Sequence, residues 1–418
     1  FDLPIAVAVL MAMDVMPNDA FESHTILGEL ALDGAITRVA GVLPAAIGAN
    51  AAGRGIVCPA EQGGEAAWAG DIDVLAPASL LSLVNHVKGT QVLTRPEPAL
   101  AVDDTPIPDL PDVKGQESAK RALEIAAAGG HNLLMVGPSG SGKSMLAARL
   151  PGLLPRLTPV EALEASMIHS VAGQLEGGRL LMRRAFRDPH HSATLPALIG
   201  GGLRARPGEA SFAHNGVLFM GELPEFDRRT LEALRQPLES GRAVVARANA
   251  HVTYPARFQL IAAMNPCKCG YLVNPALACG RVPRCAADYQ SKISGPLFDR
   301  IDLHVDVPAV KPAYIAVRVA AAARAVQAAR FEKLVSRDAS GVSVNAHADG
   351  ELLDAIATPD AEGVRLLTDA ADRLHLSARG WHRIRRVART IADLDGSEGV
   401  RRVHIAEALG YRRIAPGR

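Results

Sequence analysis

One stretch of the sequence has the residue types and the spacing that bind phosphate groups. The apolar residues 133–136 precede a Gly-x-x-x-x-Gly-Lys-Ser motif, and the helix-favouring residues 145–150 follow it. The motif consists of Gly137, Pro138, Ser139, Gly140, Ser141, Gly142, Lys143 and Ser144. Glycines let the backbone wrap closely around phosphates, and amide N–H groups at the start of a helix attract anions. A strand before the motif and a helix after it are typical of a P-loop that binds a nucleoside triphosphate.

Two side chains of the motif have predicted roles. The amine of Lys143 would reach the β- and γ-phosphates, and the hydroxyl of Ser144 would ligate Mg²⁺. The alternative is a glycine-rich turn that contains a lysine by chance. The complete motif between a strand and a helix favours ATP binding.

A second apolar run, residues 217–220, is followed by an acidic residue two positions later. It has the Walker B pattern, in which a strand presents carboxylates beside the P-loop, and Glu222 stands where a carboxylate would polarise the attacking water. The residue before it is usually aspartate, which supports Mg²⁺, but this chain has Gly221. We therefore expect ATP to be bound but hydrolysed slowly.

The other residues expected to act on a nucleotide lie further along the chain. A third apolar strand, residues 258–264, ends at Asn265, which could orient the lytic water; alternatively, Asn265-Pro266 is only a turn. Arg300 follows a glycine-proline corner and suits an arginine finger that acts on a neighbouring subunit's ATP. Its alternative is a surface pair with Asp299 or Asp302.

The residues after 314 have helical patterns, and Ser377 could cap the helix that begins there. This helix has five arginines within eleven residues, and we expect Arg379, in its first turn, to contact nucleotide. The other arginines could form a solvated surface or one that faces DNA.

Four of the five cysteines lie within nineteen residues: Cys267, Cys269, Cys279 and Cys285. Four thiolates suit a closed tetrahedral Zn²⁺ site, although the spacing is not that of a familiar zinc finger, and buried unligated cysteines are the alternative. The adjacent His190 and His191 could also hold a metal, but such pairs are more often structural. Clustered thiols in a P-loop protein favour a reducing cytoplasm.

Composition divides the chain into regions of different character. Residues 1–100 have 4 Lys/Arg against 11 Asp/Glu, whereas residues 311–418 have 18 against 13, so the C-terminal region is the better candidate for binding a polyanion. No apolar run is long enough to span a membrane.

We expect a small α/β domain over 1–92, a proline-rich linker over 93–112, a nucleotide-binding domain over 113–310 and a helical domain over 311–418. The chain begins inside an apolar pattern, so we expect the first domain to be truncated at its N-terminus.

In their order along the chain, these motifs resemble those of the magnesium-chelatase-like AAA+ ATPases of the ComM (YifB) family. The resemblance spans nearly the whole chain and adds Gly115 and Gln116 to the nucleotide-binding residues. It implies an α/β fold with a P-loop AAA+ core of parallel strands flanked by helices, a helical lid and a partial Lon-protease-like N-domain. It also implies a hexameric ring, ATP and Mg²⁺, and DNA translocation with branch migration during recombination in competence.

Other functions remain open. Lon-like peptidases use a Ser–Lys dyad, but this chain has no lysine before Lys88, so the first domain is not such a peptidase. The same core motifs also occur in chelatase motor subunits, which use ATP to drive metal insertion into a porphyrin. Gly221 suggests a further alternative, a nucleotide-binding scaffold that scarcely hydrolyses ATP.

Overall fold

The computed structural model describes residues 1–101, 108–113, 115–202, 205–247, 250–268, 281, 283–308, 320–334, 343–374 and 376–411. The α-helices are α1 Asp2–Ala12, α2 Val42–Ala51, α3 Gly63–Ala66, α4 Leu80–Val87, α5 Glu117–Gly129, α6 Lys143–Ala147, α7 Leu150–Leu153, α8 Pro159–Ala172, α9 Leu195–Ile199, α10 Glu209–Phe212, α11 Arg228–Ala233, α12 Arg235–Ser240, α13 Arg284–Gln290, α14 Gly295–Phe298, α15 Ala320–Leu334, α16 Gly350–Ala357, α17 Ala361–Leu374, α18 Ala378–Leu394 and α19 Arg402–Gly410. The β-strands are β1 His24–Ile26, β2 Glu29–Leu30, β3 Ile36–Thr37, β4 Gly55–Val57, β5 Val74–Leu75, β6 Leu133–Val136, β7 Phe186–Arg187, β8 Gly200–Gly201, β9 Arg206–Pro207, β10 Val217–Met220, β11 Arg242–Arg247, β12 Ala250–Pro255, β13 Gln259–Met264 and β14 Leu303–Asp306.

The chain forms two compact units. The first comprises Phe1–Asp104, Leu157–Arg183 and Gly202–Pro207, and the second comprises Thr105–Arg156, Arg184–Gly201 and Gly208–Arg418. The segment Leu157–Arg183 thus belongs to the first unit, although it lies inside the range that we assigned to the nucleotide-binding domain. The domain boundaries remain a prediction from the sequence.

The first unit is built on a parallel sheet of three strands in the order β1-β4-β5. Successive side chains of a strand point to opposite faces, so Ile56 and Val57 of the buried β4 pack into different clusters. Val57 joins Leu3 and Val7 of α1, and Ile56 joins Val42 of α2. The sheet is therefore covered on both faces, as expected for parallel strands.

A buried carboxylate joins α8 to the rest of the first unit. The hydroxyl of Ser170 donates to Oε1 of Glu65 at 2.5 Å, and the amide of Leu43 donates to the same oxygen at 3.1 Å. The other oxygen, Oε2, accepts from Nε2 of Gln62 at 3.0 Å. A buried carboxylate with these donors is well satisfied, so we assign Glu65 a structural role.

The second unit has a parallel five-stranded sheet in the order β14-β6-β13-β10-β7. The central strands are buried on both faces: Leu133 and Met135 of β6 pack into one core, and Leu134 and Val136 pack into the other. Helices flank this sheet, as predicted for a P-loop AAA+ core. An antiparallel hairpin of β11 and β12 follows α12, and no pattern noted in the sequence had indicated it.

The C-terminal helices α15–α19 pack together and against α5. Ser377 caps α18 as predicted, because its hydroxyl accepts from the amide of Gly380 at 3.2 Å. Within the described residues, no helix combines the length and the apolar character needed to cross a membrane.

Candidate nucleotide-binding site

The P-loop connects the end of β6 to α6, and its shape depends on three glycines. Gly140 and Gly142 have φ of +74° and +87°, which favours glycine at both positions. At Gly137, a Cβ atom would lie 2.1 Å from the carbonyl oxygen of Val307, so only glycine fits against the strand connection after β14. The loop backbone is thereby compact enough to form a phosphate-binding cradle.

Lys143 lies across this loop and connects it to the neighbouring strand. Its Nζ donates to the carbonyl oxygens of Gly137 and Pro138 at 2.8 and 2.7 Å, and to Oδ1 of Asn265 at 3.2 Å. Burial lowers the pKa of Lys143, and the carboxylate of Glu222 opposes that shift. The predicted phosphate ligand and the predicted sensor therefore lie together at the carboxyl ends of β6 and β13.

Gln116 lies beside the same loop. It occupies the position before α5 with φ of +64°, and Gly115 before it has φ of +70°. Nε2 of Gln116 donates to the carbonyl oxygen of Ser141 at 3.1 Å and to that of Pro308 at 2.6 Å. The segment that the family resemblance added to the site is thus in contact with the P-loop.

Glu222 follows β10 at the same edge of the sheet. Its φ is +54°, an uncommon conformation for a glutamate, and its side chain is 60% exposed. His191 faces it, with 3.4 Å between Nδ1 of His191 and Oε2 of Glu222. The contact arises because β7 pairs in parallel with β10, so the residues after both strands meet at one edge. In the sequence, His191 stands out only as one of a pair of adjacent histidines.

Gly221 leaves open space next to Glu222. A Cβ atom there would meet only the ring of Phe219, at 3.4 and 3.6 Å, which are ordinary contact distances. The backbone therefore has no steric requirement for glycine at this position. Glu225, the other acidic residue nearby, pairs with Lys292 at 3.6 Å.

The two predicted nucleotide-contacting arginines lie together at the opposite edge of the sheet. Asn132, the residue before β6, donates its side-chain amide to the carbonyl oxygen of Arg300 at 2.9 Å. The P-loop begins after β6, roughly 15 Å away at the rise of an extended strand. Arg300 and Arg379 both pair with Oε1 of Glu239. Sequence reasoning gave no indication of Glu239.

The predicted zinc site is described only in part, because Cys269 and Cys279 lie outside the described residues. Cys267 is fully buried and Cys285 is partly buried. Among the residues that the structure describes, no group of three or more His, Cys, Asp and Glu side chains could hold a metal. The structure therefore gives no support to a zinc site.

Family models of magnesium chelatase match three parts of the chain. "Magnesium chelatase, subunit ChlI" matches residues 109–315, "Magnesium chelatase, subunit ChlI C-terminal" matches 311–412, and "Subunit ChlI of Mg-chelatase" matches 1–62. The uncharacterized protein YifB of Escherichia coli is 41% identical over 99% of this chain and 82% of its own length. The competence protein ComM of Haemophilus influenzae is 40% identical, also over 99% of this chain and 82% of its own length. The magnesium-chelatase 38 kDa subunit of Rhodobacter capsulatus is 27% identical over 42% of this chain and 56% of its own length.

The parallel sheet, the P-loop and the residues at its carboxyl edge define a P-loop AAA+ protein of the magnesium-chelatase type. Identity of about 40% to the YifB and ComM proteins, over 99% of this chain, defines its family more narrowly. The chain belongs to the magnesium-chelatase-like family that includes the YifB and ComM proteins, as its motifs predicted.

Proposed function

We propose that this chain is an ATP-driven motor that translocates on DNA and catalyses branch migration during recombination of DNA taken up in competence. One observation carries the ATPase part of the proposal. Lys143, Asn265 and Glu222 converge at the carboxyl edge of the sheet, whereas Arg300 and Arg379 lie at the amino edge. One chain thus offers two halves of a hydrolytic site that cannot reach the same nucleotide.

In this proposal, each chain binds ATP on its own P-loop. Backbone amides and Lys143 hold the phosphates, Ser144 and the triphosphate hold Mg²⁺, and Asn265 orients water that Glu222 polarises. Arg300 and Arg379 stabilise negative charge that develops on the neighbouring chain's ATP. The arrangement requires a ring, which we propose to be a hexamer in the cytoplasm.

The DNA part of the proposal rests on the competence relative and on charge. Residues 311–418 have five more basic than acidic side chains, and phosphate backbones bind such regions by releasing counterions.

The similarity to a magnesium-chelatase subunit keeps a chelatase motor as the second candidate. Gly221, which removes a Walker B carboxylate, favours slow hydrolysis in either case. A structural Zn²⁺ on Cys267, Cys269, Cys279 and Cys285 remains part of the proposal as a separate hypothesis.

The test is ATP hydrolysis measured with no DNA, with single-stranded DNA and with branched DNA. We expect DNA to stimulate turnover and DNA binding to weaken steeply as salt is raised. Lys143→Ala should abolish nucleotide binding, while Lys88→Ala, at an exposed lysine of the first unit, should leave it intact. If DNA neither binds at low salt nor changes turnover, the translocase proposal fails and the chelatase alternative gains.

A further inference from the structure

One carboxylate oxygen holds both arginines at the amino edge of the sheet. Oε1 of Glu239 pairs with Nη2 of Arg300 and lies 3.3 Å from Nη2 of Arg379. The Arg300 side chain is 6% exposed, whereas Arg379 and Glu239 are 55% and 50% exposed. Arg300 is thus the buried member of this pair, and Arg379 is its solvent-exposed member.

Three separate elements supply these residues. Glu239 lies in the last turn of α12, Arg300 in the connection from α14 to β14, and Arg379 in the first turn of α18. Nη1 of Arg300 also donates to the carbonyl oxygen of Pro296 at 2.5 Å, which fixes its guanidinium in orientation. Arg379 has greater freedom, so its position depends more strongly on Glu239.

The surrounding cavity favours an anion. It measures about 660 Å³, and five arginines line it against three carboxylates. Two guanidinium groups that approach one another repel, and a carboxylate between them offsets that repulsion. Asp302 and Asp349, the other two carboxylates, pair with Arg383 and Arg386 at 3.3 and 3.1 Å. Glu239 is therefore the carboxylate that pairs with Arg300 and Arg379 in this cavity.

We propose that Glu239 is a positioning residue that holds Arg300 and Arg379 side by side where the neighbouring chain's terminal phosphate binds. This proposal rests on the proposed function, since it requires both arginines to act on that phosphate. Glu239 acts through the arginines and does not itself contact the reacting atoms. Because both guanidinium groups contact one oxygen of Glu239, they already lie close together before the phosphate arrives.

A purely structural role for Glu239, as a link between α12 and α18, predicts a different result. Loss of such a link would lower the stability of the chain to a similar degree whether or not Arg300 is present. A positioning role predicts that the effect of Glu239 on turnover depends on Arg300. A double-mutant cycle separates the two, because it measures how far one residue acts through another.

The experiment measures steady-state ATPase of the full chain, at concentrations that saturate turnover, for Glu239→Gln, Arg300→Ala and the double variant. Misplacement of a catalytic group by about 1 Å costs up to about 10²-fold, so we expect Glu239→Gln to lower kcat by about 10- to 100-fold. KM and ATP binding by the dilute chain should change less than twofold. In the Arg300→Ala background, Glu239→Gln should lower kcat by a clearly smaller factor, because only the contact with Arg379 remains to be lost.

Two additional variants complete the design. Glu239→Asp keeps the charge but retracts it by one methylene, so its kcat should lie between those of Glu239→Gln and the unchanged chain. Asp354→Asn is the matched control: Asp354 is an exposed carboxylate that pairs with Arg385 of α18 at 2.8 Å, outside the cavity. It should leave kcat unchanged.

Equal losses from Glu239→Gln with and without Arg300 would overturn the positioning role and indicate a structural link. The positioning role would also be overturned if Glu239→Gln kept the kcat of the unchanged chain while Arg300→Ala was strongly impaired. In both cases the proposed ring ATPase would survive. If Arg300→Ala itself has full activity, the shared hydrolytic site of the proposed function fails together with this inference.

Discussion

Nδ1 of His191 lies 3.4 Å from Oε2 of Glu222, the carboxylate that we expect to activate water. Glu222 has an uncommon backbone conformation and an exposed side chain. The imidazole of His191 contacts its carboxylate, and we expect this contact to orient the carboxylate. General bases contribute about 10²- to 10⁴-fold to enzymatic rates and depend on their position.

We therefore expect His191→Ala to lower kcat by about tenfold, a fraction of what removal of the base would cost. His191→Asn, which retains a polar contact, should lose less. His251→Ala, at an exposed histidine of the β11–β12 hairpin, is the control and should keep the rate measured without DNA. A rate in His191→Ala equal to that of the unchanged chain would mean that Glu222 needs no such contact.

Arg300 should act on a neighbouring chain. Arg300→Ala should leave ATP binding intact and lower turnover by about 10³-fold, the low end of what arginine fingers contribute. The specific activity of the unchanged chain should rise with its concentration, because each site needs a second chain. Arg365→Ala, at an exposed arginine of α17, serves as the control. A dilute monomer that hydrolyses ATP as fast as the concentrated protein would contradict the ring.

Gly221 should limit the use of Mg²⁺. The ion prefers octahedral oxygen ligands and keeps several waters, so the loss of a supporting carboxylate weakens its binding without abolishing it. Because a Cβ atom fits at this position, Gly221→Asp should raise turnover and lower the Mg²⁺ concentration needed for half-maximal rate.

Gly221→Ala is the matched control, since it adds the Cβ atom without the carboxylate. Glu225 already pairs with Lys292, so we do not expect it to replace the missing aspartate. If Gly221→Asp and Gly221→Ala behave alike across a Mg²⁺ titration, the metal needs no carboxylate at this position.

If the four clustered cysteines share a metal, the protein should contain about one equivalent of Zn²⁺ after chelator-free purification. Cys285→Ser should then lose the metal. Cys58→Ser should keep it, because burial and the nearby Glu65 raise the pKa of the Cys58 thiol to about 12 and leave it protonated. Metal analysis that finds no zinc in the unchanged protein would exclude the site.

Asp302 should contribute strongly to stability. Burial alone would raise its pKa, but His131, Arg383 and the backbone amide of Asn132 outweigh that effect and hold the pKa well below its usual range. Because the pKa in the folded state lies below that in the unfolded state, this contribution is complete above about pH 5 and declines at lower pH. Asp302→Asn leaves Arg383 buried without this carboxylate and should cost about 3 kcal/mol in the free energy of unfolding.

Denaturant unfolding at pH 7 measures that cost. Asp354→Asn, which removes an exposed carboxylate from Arg385, should cost less than about 1 kcal/mol. Equal costs for the two variants would show that burial does not set the strength of the Asp302 contact. Below about pH 5, the difference between Asp302→Asn and the unchanged chain should shrink.

The sequence by itself determined the local elements of the core. The P-loop, the strands that precede Glu222 and Asn265, and the cap at Ser377 could be predicted because each depends on neighbouring residues. An apolar run of four to six residues is long enough for a buried strand, and a glycine-rich turn or a capping hydroxyl ends or begins an element wherever it occurs. The order of these motifs along the chain was sufficient to indicate the family.

Only the tertiary structure decided which distant side chains meet. Glu239 is 61 residues from Arg300 and 140 from Arg379, and their contact depends on how α12, α14 and α18 pack around the sheet. The contact between His191 and Glu222 depends on the pairing of β7 with β10, and the inclusion of Leu157–Arg183 in the first unit depends on buried contacts such as Ser170 with Glu65. Residue periodicity specifies the face that an element buries but not its partner, because that choice is made by the packing of the whole core.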